Sequence, residues 1–166
     1  MEYTAKRDSR EVSHFHYLYY LSKVFGRILE TDFEEICHEN GITSKIYDVL
    51  TVLKQKQTCS VSEIAQLGLM HISSAMNNCK SLEKDGLVKL MKDQQDSRVT
   101  NVALTAAGEE FIDKITGQMK HADFSIGEIL DSAEHDIGIK PSFVDLHHIV
   151  HHYCDKETMN YISGFK

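Results

Sequence analysis

The side chains best suited to chemistry in this sequence bind rather than react. Ser73, Ser74, Asn77, Asn78 and Ser81 recur at three- and four-residue spacing, with Lys80 and Lys84 flanking them. On a helix, that spacing gathers hydroxyls and carboxamides on one face. Small side chains that donate and accept hydrogen bonds let a helix approach the edges of base pairs, and ammonium groups at its margin suit phosphate. A solvated polar face has the same composition, and the stripe alone leaves both readings open. His71, just ahead of the helix, can cap it or touch a phosphate.

The histidines form a second set. Nine of the ten, His14, His16, His38, His121, His135, His147, His148, His151 and His152, lie outside residues 41–105. His147 with His151, and His148 with His152, stand one helical turn apart, a spacing at which two imidazoles can share a metal ion. These four are the candidate ligands for a transition metal or haem, and a sensor of either is an alternative reading. Cys154 and Asp155 are close in sequence, yet no acidic or thiolate residue completes an obvious three- or four-ligand set. A solvated or partner-facing His-rich helix accounts for the same residues. Imidazoles titrating at about pH 6.5 would then make dimer stability pH-dependent.

Cys37, Cys59, Cys79 and Cys154 are far apart and form no C-x-x-C, which argues against a zinc finger and a disulfide framework. Cys79 fits a small apolar core position. A redox switch there needs a lowered thiol pKa, which nothing in the sequence supplies. The sequence holds no G-x-S-x-G, no H-E-x-x-H and no phosphate-binding glycine loop, so it does not read as an enzyme. A helical metalloenzyme around His135-Asp136, and an adaptor that binds other regulators without touching DNA, are the remaining alternatives.

Charge bears on the partner. The 166 residues hold 18 Lys and Arg against 25 Asp and Glu, a net charge of -7, which taken whole speaks against nucleic acid. Residues 41–105 carry eight basic and six acidic side chains, a net +2, whereas the other 101 residues carry 10 basic and 19 acidic, a net -9. Screening confines each patch to about 8 Å at physiological salt, so a partner meets the local charge. No run approaches the roughly 18 apolar residues of a membrane span, and residues 1–14 are too charged for a secretory signal. No membrane partner is expected, and the expected location is cytoplasmic.

These groups need elements to position them. Phe15, Leu18, Leu21, Phe25, Ile28, Leu29, Phe33 and Ile36 predict one helical face over 9–40, stopped by Gly41. Tyr17, Tyr19, Tyr20 and Val24 widen that stripe beyond one core, which points to a second buried surface and to oligomerisation. Next come a helix over 44–56 capped by Thr43 and a capping box at Ser60-Val61-Ser62-Glu63. The box opens a two-turn helix broken by Gly68. A helix from Ile72 to Asp85 follows, stopped by Gly86, with Ile72, Ala75, Cys79 and Leu82 inward. Leu87 to Met91 and Val99 to Leu104 read as two strands of a hairpin with a polar turn. Thr105 caps a long helix expected to reach Ala133, and residues 135–140 read as a loop. Pro141-Ser142 with Asp145 starts a last helix carrying Phe143, Leu146, Ile149, Val150, Tyr153 and Ile162. A short helix, a tight turn, a polar-faced helix and a two-stranded ribbon follow the order of a winged helix-turn-helix, whose second helix fits the major groove.

Ser62-Glu63-Ile64-Ala65, Ser73 to Leu82, and Glu83-Lys84-Asp85-Gly86-Leu87-Val88 resemble the MarR family. So, above all, do Asp96-Ser97-Arg98 and Val102-Ala103-Leu104-Thr105-Ala106-Ala107-Gly108, which match its most specific signature, D-x-R followed by V-x-L-T-x-x-G. Within the family, Ser60 to Glu83 is most similar to the Hpr (ScoC) type, which regulates protease production and sporulation. The resemblance spans most of the chain, more loosely at both ends. It implies a mainly α fold: an N-terminal dimerisation helix within 1–42, a winged helix-turn-helix over 43–105 and C-terminal dimerisation helices over 106–166. It implies a homodimer, in the simplest case a repressor, on a palindromic operator in double-stranded DNA, with room for a small-molecule or metal effector. Position by position, Ser73, Ser74, Asn77 and Asn78 would read bases, Lys80 and Lys84 would hold phosphates, Arg98 would enter the minor groove, and Asp96 would orient the wing turn. Many family members carry a second basic residue directly after the wing arginine and one within the recognition helix. Here Val99 and Asn77 stand in those places, so the salt dependence of binding should be shallow for the family.

Overall fold

A helix apolar on more than one side has to sit in the middle of a structure, and Ser44–Lys56 is of that kind. It forms helix α2, which buries Tyr47, Val49, Leu50, Val52 and Leu53. Thr43 caps it as expected, its hydroxyl accepting the Ile46 N–H at 3.3 Å. The computed structural model describes residues 9–119, 124, 132, 135–136, 138, 150–152 and 154–165, with the backbone alone for 9–15. Around α2 lie α1 (Ser9–Glu39), β1 (Thr58–Ser60), α3 (Val61–Leu67), α4 (Ile72–Lys84), β2 (Val88–Lys92), β3 (Thr100–Leu104), α5 (Ala106–Met119) and α6 (Lys156–Ser163).

The hairpin is part of a larger sheet. The strands run in the order β1-β3-β2, antiparallel throughout, with Val102 opposite both Cys59 and Leu90. Strand β1 has only three residues and runs straight into the α3 capping box, too short a stretch to show alternation. The box itself is complete: Glu63 N–H reaches the Ser60 hydroxyl at 3.2 Å, and the Glu63 carboxylate accepts the Ser60 N–H at 2.7 Å.

Three helices end in the same paired hydrogen-bond motif, and one of them departs from expectation. At the end of α1, Ile42 N–H bonds to the Cys37 carbonyl and Gly41 N–H to that of His38. The end of α4 repeats this with Leu87 to Leu82 and Gly86 to Glu83. Gly41 and Gly86 take the left-handed backbone there, at φ +71° and +75°. After α3 the pair is Met70 to Ala65 and Leu69 to Gln66, so the left-handed residue is Leu69 at φ +49°, not Gly68. Gly68 is needed for space instead, because a Cβ there would stand 2.9 Å from the Ile64 carbonyl oxygen and from Met70 Cε. The left-handed conformation falls one residue later, on a side chain that pays about 1–2 kcal/mol for it.

Other expected boundaries also move. Helix α5 ends at Met119 and Phe124 lies outside any helix, so a single helix to Ala133 does not form; Gly117 weakens its last turn. His135 and Asp136, expected in a loop, are helical. The last helix does not run unbroken to Ile162 either. The chain is helical at 150–152, breaks at Cys154, and restarts as α6 because the Asp155 carboxylate accepts the Thr158 N–H at 2.7 Å. Asp155 also accepts from Gln66 of α3 at 2.9 Å, and Glu157 pairs with Lys56 of α2 at 2.7 Å. With Thr158 and Met159 buried, α6 packs on α2 and α3. Pro141 and its surroundings lie outside the described residues.

Among the described side chains of α1, those near its C-terminal end join this core. Ile36 and Cys37 are buried, and Phe33 packs edge-on against Tyr47 at 4.8 Å between ring centroids. The apolar residues nearer its start, Tyr17, Leu18, Tyr20, Leu21 and Val24, are each at least half exposed. Near the junction of α1 and α2, burial raises the Asp48 carboxyl to about 6, with Lys45 offsetting part of the shift.

Candidate nucleic-acid interface

Helix α4 turns Ala75, Cys79 and Leu82 into the core. Ile72, expected beside them, is instead 49% exposed. On the outer side Ser73, Asn77, Lys80, Ser81 and Lys84 are exposed, while Ser74 and Asn78 are half-buried. The Asn78 carboxamide lies 3.9 Å from Met70 Sδ. His71 takes the capping role: its Nδ1 accepts the Ser73 N–H at 3.3 Å and lies 2.7 Å from the Ser73 hydroxyl.

The wing tip is organised by two carboxylates. Asp93 accepts the N–H groups of Gln95 and Asp96 at 2.9 and 3.1 Å and the Asn101 carboxamide at 3.0 Å. Those bonds, led by the Asp96 N–H, hold its carboxyl below the usual range. Asp96 in turn binds the Arg98 guanidinium through both oxygens at 3.0 Å and accepts the Arg98 N–H at 3.0 Å. The guanidinium is thereby aimed rather than buried, with the Arg98 side chain 89% exposed. Its bond also lowers the Asp96 pKa.

At its base the wing is fastened to the core. The Thr105 hydroxyl donates to the Gly86 carbonyl at 2.8 Å and accepts the Gly108 N–H at 3.1 Å. A Cβ on Gly108 would fall 2.0 Å from the Leu87 carbonyl oxygen, which explains physically why T-x-x-G belongs in the signature. Further out, the Glu83 carboxylate on α4 accepts the Leu90 N–H of β2 at 2.9 Å.

Ion pairing sorts the cations of the middle segment. Lys54 pairs with Asp113, Lys56 with Glu157 and Arg98 with Asp96. Lys45 on α2 and Lys80, Lys84, Lys89 and Lys92 make no ion pair among the described residues, and the last four stand on α4 or β2.

Known proteins fit this geometry. The MarR family model matches residues 42–100. The HTH-type transcriptional regulator Hpr of Bacillus licheniformis is 31% identical over 142 residues, covering 84% of this chain and 68% of that protein. The chain belongs to the MarR family. The Hpr protein of Geobacillus thermodenitrificans is 35% identical over 95 residues, 57% of this chain and 48% of its own length. The chain thus spans about half the length of the first relatives it matches. A solved structure of reduced AbfR bound to DNA shares the fold, with a TM-score of 0.63 at 19% identity, covering 78% of this chain and 94% of that one.

His151 and His152 are exposed, and His147 and His148 lie outside the described residues. Among the described residues no three His, Cys, Asp or Glu side chains come together as a metal site. Burial raises the Cys79 thiol to about 11 and the Cys59 thiol to about 12, so both stay protonated near neutrality. Sequence reasoning missed Asp93 and Glu83. Asp93 could have been found as a short acceptor two and three residues ahead of N–H groups in a turn. Glu83 carried a subtler signal, an acid in the last turn of a helix where the dipole disfavours it.

Proposed function

We propose that the chain is a DNA-binding transcriptional regulator that holds a palindromic operator as a homodimer, acting in the cytoplasm and catalysing no reaction. The observation that carries this reading is the gathering of Lys80, Lys84, Lys89 and Lys92, free of ion pairs among the described residues, on α4 and β2 beside the exposed Ser73, Asn77 and Ser81. Cations left without acidic partners next to small hydrogen-bonding side chains suit a phosphate backbone flanking base edges. The Hpr name of the relatives and the DNA in the AbfR structure point the same way. No helix among the described residues is long and apolar enough to cross a membrane.

In this reading Asn77 with Ser73, and Ser74 and Asn78 at the margin, contact bases. Lys80 and Lys84 hold phosphates, and Arg98, aimed by Asp96, enters the minor groove. His71 serves as the helix cap. Residues 43–105 form the DNA-binding unit, with α1 and residues 106–166 supplying the dimer contacts. The exposed apolar face of α1 supports a second copy as its cover, and two recognition helices would then meet half-sites roughly 34 Å apart.

Binding to duplexes selected from a random pool by the wild-type chain tests the assignment. Arg98→Ala should weaken binding to all sequences and lower the salt slope by about 1, whereas Asn77→Ala should mainly relax base preference, by about 1–3 kcal/mol of discrimination. Equal losses on selected and random DNA for both variants would remove these roles.

A further inference from the structure

A wing can report on DNA only if its angle to the recognition helix is fixed. β3 is held to the core by its pairing with β1, and two attachments on the α4 side set the angle of the wing to that helix. The first is the clamp at the base, where Thr105 and Gly108 close on Gly86 and Leu87. The second is the single bond from the Glu83 carboxylate to the Leu90 N–H, three residues further out. Strand β2 is the sheet edge, so the outward N–H of Leu90 has no strand to meet and Glu83 supplies its acceptor. Neither local preference nor packing explains a glutamate here. It stands in the last turn of α4, where a carboxylate faces the negative end of the helix dipole, and its side chain is exposed. It lines a cleft of about 340 Å³ between α4 and the wing, with Lys80 on one side and Lys92 and Thr100 on the other.

We infer that Glu83 is a positioning residue for DNA recognition: its carboxylate latches the wing to the recognition helix and so fixes the distance between the side chains of α4 and Arg98. This rests on the DNA-binding reading above. With the latch closed, a bound duplex meets Asn77 and Arg98 as one rigid pair. With it open, the β2 edge loses its outer tie to α4, the wing bends beyond the β1–β3 pairing, and binding must restore the angle.

Two measurements on the full chain test this, with Glu83→Ala and Glu83→Gln. Amide hydrogen exchange of the free protein reads the latch itself. Leu90 should exchange about tenfold faster in Glu83→Ala and near the wild-type rate in Glu83→Gln, whose amide oxygen still accepts. Hydroxyl-radical footprinting on a duplex selected by the wild-type chain reads the consequence. Glu83→Ala should lose about tenfold in affinity and lose protection at the flanking minor groove, while the centre of each half-site stays protected; Glu83→Gln should recover both. Unchanged Leu90 exchange in Glu83→Ala, or a footprint weakened evenly along the site, overturns the proposal, as does a Gln variant that behaves like Ala. A wild-type chain that selects no duplex fails the DNA-binding reading instead, and the Leu90 exchange rates still decide whether the latch exists.

Discussion

The winged-helix unit and the first helix treat their apolar residues in opposite ways. Between Thr43 and Gly108, Val49, Leu50, Val52, Leu53, Ile64, Cys79 and Val102 are fully buried, and α2, α3 and α4 each begin at a side-chain cap. On α1, apolar side chains as large as Tyr17, Tyr20 and Leu21 stand exposed, and among the described side chains Phe33, Ile36 and Cys37 near its end join the core. One region satisfies itself within a single chain. The other carries an apolar surface that its own chain leaves exposed, and the proposed second copy of α1 would cover it with the same residues.

Changes on either side of this contrast should have separable effects. The largest is expected from Val24→Asp, which puts a carboxylate on the exposed face of α1. It should abolish the dimer in sedimentation and operator binding with it, while leaving the unfolding of the winged-helix unit unchanged. An intact dimer after that change would move the interface elsewhere and erase the contrast. Next in size is Gly108→Ala, which forces a methyl group against the Leu87 carbonyl. It should cost about 3 kcal/mol in denaturant unfolding, with the dimer retained at concentrations where the chain is folded.

The smallest effect sharpens the boundary between the two regions. Asp48 has its pKa raised from 3.8 to about 6 in the folded chain, because burial disfavours its charge. Its penalty is therefore absent well below pH 3.8, where the carboxyl is neutral folded or unfolded, builds as the pH rises from there to about 6, and is constant above that. Asp48→Asn should stabilise the chain by about 1 kcal/mol at pH 7, allowing for the solvent that still reaches the carboxyl. The gain should vanish by about pH 3. A gain of equal size at both pH values would assign it to something other than charge burial.

Much of the scaffold was legible because it rests on local rules. Ser60 and Glu63 close a capping box over three residues, Gly41 and Gly86 take left-handed exits, and the alternation around Val88 and Val102 shows strands. The polar stripe of α4 was legible for the same reason. What the sequence hid were choices between neighbours that only packing makes. Gly68 and Leu69 both follow α3, and either could take the left-handed position until Ile64 and Met70 crowd the first. Ile72 has the spacing of Ala75 and Cys79, yet the core ends before reaching it.

Taken alone, the sequence determined the order of elements and the face on which small polar side chains gather, because helix and strand periods and caps act over three or four residues. The tertiary structure decided how those elements are fastened and which charges remain. Asp96 aims Arg98, Glu83 reaches across to Leu90, and acids from α5 and α6 neutralise Lys54 and Lys56 while, among the described residues, the cations of α4 and β2 stay unpaired. Contacts such as Glu83 to Leu90 or Lys56 to Glu157 depend on which surfaces meet in space, and no local period of the sequence encodes that.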